Sequence, residues 1–102
     1  MTNLILDKRA PQAALIRGEL TFINGSRLYF RELVEMRNAI VRHMYSCHYQ
    51  DSEGALIFRY DDTPLHPHVN TFPHHKHQRT EDAVLASSPP DMESVIREIE
   101  LM

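Results

Sequence analysis

Apolar and polar residues alternate with a period of two through most of the first half of the chain, the signature of strands buried on one face. Ala14 to Phe22 puts Ile16, Gly18, Leu20 and Phe22 on one side and Arg17, Glu19 and Thr21 on the other. Ser26 to Val34 repeats the pattern with Leu28, Phe30 and Val34. Asn24-Gly25 between them predicts a hairpin. A two-residue loop would set Leu20 opposite Tyr29. A three-residue loop, Ile23-Asn24-Gly25, sets Leu20 opposite Leu28, aligns the apolar faces and gives Gly25 the left-handed conformation, so it is preferred.

Ile40 to Gln50 reads as a third strand, with Val41, Tyr45, Cys47 and Tyr49 on one face. Asp51-Ser52-Glu53-Gly54 is a polar turn and Ala55 to Asp61 a fourth strand. A four-residue turn predicts Tyr49 opposite Leu56, Cys47 opposite Phe58 and Tyr45 opposite Tyr60. The reverse side then carries Ser46, His48, Ile57, Arg59 and Asp61. Glu35 to Ala39 has neither Gly nor Pro and fits a strand extension or a short helix through Met36 and Ile40. Thr63 to Pro73 contains three prolines and reads as a loop or edge segment. His74 to Arg79 can return as a short strand. Ser88 suits an N-cap, Pro89 the first helical position, and Asp91 a capping box. Met92, Val95, Ile96 and Ile99 then form an apolar stripe.

The expected fold is α+β: an antiparallel meander of four to five strands with a C-terminal amphipathic helix packed on one face. The alternative adds a second helix near Glu32 to Ile40. A chain of 102 residues fits one domain over 1–102. Its 42% hydrophobic and 25% charged content argues against disorder. Cys47 is the sole cysteine, so no internal disulfide forms and a reducing compartment is expected. It sits among aromatics and reads as a core residue. Met1 to Arg9 carries no long apolar run, which predicts a cytoplasmic protein without signal peptide or membrane span.

Net charge is -3 but uneven. Residues 1–80 hold ten Lys/Arg and eight Asp/Glu, whereas 81–102 hold one Arg and six acids. The body can meet a polyanion while the tail stays acidic. Arg17, Arg27, Arg31, Arg37 and Arg42, helped by Tyr29 and Phe30, could line a phosphate track. Solvated strand faces have the same composition.

Five of the seven histidines lie between His66 and His77. Three readings stay open. In the first, the segment cleaves RNA without metal. A base takes the 2′-hydroxyl proton, an acid protonates the leaving 5′-oxygen, and a cation holds the phosphate; histidine suits both proton roles. Lys76 and Arg59 supply the cation, and Tyr60 stacks on a base or donates a proton. In the second, the pairs His66-Pro67-His68 and His75-Lys76-His77 capture zinc. No Asp or Glu lies between His66 and His77, so the segment itself offers no carboxylate ligand. In the third, the histidines satisfy turns or bind a partner chain. His43 and His48 lie within a strand and read as structural.

The run Phe58-Arg59-Tyr60-Asp61, then His66-Pro67, Thr71-Phe72-Pro73-His74-His75-Lys76-His77 and the Ser87-Ser88-Pro89-Pro90-Asp91 helix start, resembles the TumE family of bacterial toxin–antitoxin proteins. The resemblance covers most of the chain from about Leu15. It implies a growth-inhibiting toxin made with an antitoxin from a neighbouring gene, typically a helix-turn-helix DNA-binding protein. Two positions depart from the pattern: Asp62 stands where Asn is expected, and Leu65 where a second His would precede Pro67.

The leading expectation is a toxin acting as a metal-independent endoribonuclease with no cofactor. His75 and His77 are expected to transfer protons, with His66 as the other candidate and Lys76 beside them. Arg59, Tyr60, Asp61 and His74 are expected to bind RNA. The competing expectation is a non-catalytic protein that acts by occupying a partner, or a histidine-ligated metal protein. An open sheet edge also suits a homodimer.

Overall fold

The computed structural model describes residues 2–102. The chain forms β1 (Thr2–Ala10), β2 (Ala13–Thr21), β3 (Arg27–Met36), β4 (Ile40–Gln50), β5 (Leu56–Asp61), β6 (His75–Gln78), β7 (Val84–Ala86) and α1 (Met92–Glu100). Each strand pairs antiparallel with its sequence neighbours, so spatial order equals chain order in one sheet. Short turns suffice for such a meander, and no crossover is needed. The α+β meander with a C-terminal helix stands, but the strand count is corrected from four or five to seven.

The two additional strands lie at the sheet's two edges. On β1, Leu4, Ile5 and Leu6 are consecutive apolar residues and all are exposed, so no alternation marks a buried face. Three-residue β7 is too short to carry a period. The second helix near Glu32 to Ile40 is not formed. Instead β3 continues to Met36, whose N–H donates to the Gln12 carbonyl at 2.7 Å, and Arg37 N–H donates to the Ala39 carbonyl at 3.0 Å to turn the chain.

In the β2–β3 hairpin Leu20 faces Leu28, and Gly25 adopts φ +84°, as the three-residue loop requires. The β4–β5 register differs from expectation. Tyr49 faces Phe58 and Cys47 faces Tyr60, while Gln50 faces Leu56, leaving Ile57 as the extra residue of a bulge. Asp51 explains the longer turn: its side chain accepts from the N–H groups of Glu53 and Ala55, both at 2.9 Å. The two-residue shift keeps the apolar face aligned, and the bulge turns both Ile57 and Phe58 inward.

One face of the sheet holds the core. Leu28, Cys47, Tyr49, Ile57 and Phe58 are buried beneath Val95 and Ile99 of α1, with Leu20, Phe30, Tyr60, Met92 and Ile96 around them. The helix cap is corrected from Ser88 to Asp91, whose carboxylate accepts from Ser94 N–H at 2.8 Å. Pro89 and Pro90 therefore lie outside the helix.

Candidate functional site

Alternation decides which side chains meet. Arg59 and Asp61 on β5 point away from the core, and their cross-strand partners His77 and His75 on β6 point with them. Asp61, His75 and His77 are all buried. The loop from residue 62 to 74 then folds His66 back over this corner. Ring centroids are 4.7 Å apart for His66 and His75, 5.5 Å for His66 and His77, and 4.9 Å for His75 and His77. Beside them opens a cleft of about 270 Å³ lined by Arg59, Asp61, Leu65, His66, His75 and His77, with Thr63 and Glu81 at its margin.

Asp61 is the hub. Its carboxylate lies 2.8 Å from His75 Nε2 and 3.9 Å from His77 Nε2. It also accepts from Arg59 Nε and from Thr63 N–H, both at 3.1 Å. The far ring nitrogens are held by main chain: His75 Nδ1 is 2.9 Å from the Pro73 carbonyl, and His77 Nδ1 is 2.9 Å from the Glu81 carbonyl. A carbonyl accepts only, so each Nδ1 carries a proton and each Nε2 is directed to Asp61 and the cleft. His66 is held below the ordinary imidazole pKa by lost hydration and by the neighbouring His75, His77 and His68 rings. Neutral pH therefore leaves it a free base.

Three expected site residues lie elsewhere. Because His75 and His77 share a face, Lys76 must take the other. Its Nζ pairs with Glu98 Oε2 of α1 at 2.6 Å and sits over the Tyr60 ring. Tyr60 donates its hydroxyl to the same carboxylate. His74 stacks on Tyr45 and shares a 3.0 Å hydrogen bond with its hydroxyl. His68 is exposed, 5.9 Å from the His66 centroid and outside the cleft lining. Cys47 is buried, and burial pushes its thiol up to about 11, so it is a packing residue rather than a nucleophile.

The two departures from the family pattern have different settings. Asp62 Oδ1 accepts from Tyr45 N–H at 3.3 Å, a role an Asn oxygen fills equally. Leu65 is exposed at the cleft, where an imidazole would have added a fourth ring.

Two contributors were missed on sequence reasoning. The first is the role of Asp61 as carboxylate partner to the histidines: it lies upstream of the segment, and only the β5–β6 register brings it in. The second is Glu81, whose carboxylate takes both terminal nitrogens of Arg59 in a fork. One ligand atom from each of His66, His75 and His77 lies within 4.8 Å of the others, so the trio can also hold a cation.

A family model described as Toxin TumE matches residues 3–102, and the chain belongs to that family. No curated protein and no solved structure gives a match.

Proposed function

As a member of the TumE toxin family the chain is the toxin component of a toxin–antitoxin pair, and we propose that it inhibits growth as a small metal-independent endoribonuclease working at the Asp61–His66 cleft. The observation that carries this reading is the convergence of three imidazoles and Arg59 on one open cleft. His66 removes the 2′-hydroxyl proton of RNA, and the oxygen attacks the adjacent phosphorus. The bond to the 5′-oxygen breaks, and the imidazolium of His77 gives that oxygen a proton. The products are a 2′,3′-cyclic phosphate and a 5′-hydroxyl, with one proton taken and one returned. Arg59 holds the charged phosphate, exchanging Glu81 for it. Asp61 and the Pro73 carbonyl hold the two nitrogens of His75, whose ring packs against those of His66 and His77 and keeps them in place. Lys76, Tyr60 and His74 have no part in the step. The cognate partner is a helix-turn-helix antitoxin that silences this chemistry in the cytoplasm.

Purified protein incubated with RNA and excess chelator tests the reading. Cleavage is expected, and His66→Ala and His77→Gln should lose it while circular dichroism stays unchanged. No cleavage of any RNA, with or without added metal, defeats it and favours a toxin that acts by occupying a partner.

A second reading rests on the tautomers. Metal-bound histidines commonly donate the other ring N–H to a carbonyl, as His75 and His77 do here. With His66 they would give zinc three nitrogens and leave a fourth position open to the cleft. Cleavage only after zinc addition, with one zinc per chain by elemental analysis, would replace the metal-free mechanism with this one.

A further inference from the structure

The sheet face opposite α1 is organised beyond the histidine cleft. Register aligns Arg17, Arg31, Ser46, Asp61 and His75 in one row across five strands. The adjacent row runs Glu19, Tyr29, His48, Arg59 and His77. The chemistry of the cleft is thus one end of a continuous band.

At the other end Arg17 directly faces Arg31. Both are exposed, and among the described residues neither has an ion-pair partner. Like charges directly opposite on paired strands repel. Glu19, one row along, pairs instead with Arg27 at 3.7 Å. The other candidate arginines are also taken: Arg37 by Glu35 at 2.8 Å and Arg42 by Glu32 at 3.1 Å. A repulsive pair left uncompensated, on a sheet otherwise locally consistent, marks a place for an anion.

An open groove of about 290 Å³ lies here; Arg17, Tyr29, Arg31, Ser46 and His48 are among its lining residues, as is Glu19, whose carboxylate is the one paired with Arg27. Tyr29 and His48 bring their rings to 6.2 Å in the middle of the band. The negative charge of Asp61 further along is already countered by Arg59. From β2 to β6 is four interstrand steps, about 19 Å, the length of a few nucleotides.

We infer that this helix-free face is a track for single-stranded RNA. Arg17 and Arg31 hold phosphates remote from the cut, Tyr29 and His48 stack on bases, and the strand passes over Arg59 into the histidine cleft. Cations alternating with ring faces are how a groove holds a single strand without reading its sequence. A duplex offers no free base to stack, and an acidic peptide gives the two rings nothing to bind. The substrate class rests on the nuclease reading above; the surface itself does not.

Fluorescence anisotropy with a labelled single-stranded RNA of about ten nucleotides tests the inference, with Arg17→Gln/Arg31→Gln as the main variant. Loss of at least about tenfold in affinity is expected, and the slope of log affinity against log salt should fall by about 1.4, two phosphates at 0.7 each. Because the variant removes a repulsion, its thermal midpoint should stay level or rise. Arg97→Gln on α1, on the other side of the sheet, is the control for loss of a cation outside the band and should bind as the parent does. Equal losses in both variants, no loss in the double variant, or binding of poly-glutamate in preference to RNA would overturn the track. The two readings fail separately. Arginine-dependent binding without cleavage removes the nuclease and leaves the track; cleavage indifferent to both arginines removes the track and leaves the nuclease.

Discussion

Replacing Asp61 with alanine should unfold the protein more readily than any other single change in the cleft. The carboxylate is buried and serves Arg59, Thr63 and His75 at once. His75 is buried completely enough that no water can replace the lost partner, whereas the Arg59 side chain is 27% exposed and still has Glu81. Removing one member of a fully buried pair costs about 3–5 kcal/mol; the exposure of Arg59 puts the expected cost at the lower end, about 3 kcal/mol. In a domain of this size that lowers the thermal midpoint by about 12–24 °C. Asp61→Asn keeps an acceptor for Thr63 N–H and fills the space, so it should cost about half as much, roughly 1.5 kcal/mol. Urea denaturation at neutral pH measures both. A double-mutant cycle with His75→Phe isolates the pair and should return a coupling of about 2 kcal/mol, as for a charge-assisted bond. A cost for Asp61→Ala below about 0.5 kcal/mol, typical of a surface change, or a coupling near zero, would refute the claim that this carboxylate organises the site.

Glu81→Gln should strengthen RNA binding, because its carboxylate now occupies the guanidinium fork of Arg59; unchanged or weaker affinity by anisotropy would count against Arg59 as the phosphate holder. The rate of single-turnover cleavage should fall as pH drops through a midpoint below 6.5, since His66 acts as a base and its pKa lies below that ordinary value; an acid limb centred above 6.5 would reassign the base. Asp91→Ala should cost about 1 kcal/mol in denaturation while Ser88→Ala costs almost nothing, because the cap bond to Ser94 belongs to Asp91. Gly18→Ala should destabilise by about 1–3 kcal/mol, since its Cβ would stand 2.7 Å from the Asn3 carbonyl oxygen and 2.5 Å from Phe30 Cζ; a neutral result would mean that β1 gives way.

Strands buried on one face were legible, and those without a buried face were not. β2, β3 and β4 lie in the middle of the sheet, where the helix covers one side, so burial imposes alternation on Leu20, Leu28, Phe30, Cys47 and Tyr49. β1 lies beyond the helix with Leu4 and Leu6 exposed, and nothing disciplines its pattern. The β4–β5 register was off by two residues because apolar alignment cannot distinguish shifts of two. The deciding information was in the turn, where Asp51 closes a longer loop with its own side chain.

The same physics separates the two His-x-His pairs, which look equivalent in sequence. The argument that residues two apart share a side holds only where the backbone is extended and paired. His75 and His77 lie on β6, hydrogen-bonded between β5 and β7, and their rings meet Asp61 together. His66 and His68 lie in a proline-bearing loop, and only His66 turns into the cleft. The strand that brings two imidazoles together also sends Lys76 to the helix side, where Glu98 and the Tyr60 ring hold it. A lysine between two histidines reads as part of their chemistry until the period of the strand is applied to it. Applied consistently, that period divides the segment into a chemical face and a packing face, and it assigns Arg59 and Asp61 to the first and Tyr60 to the second by the same rule.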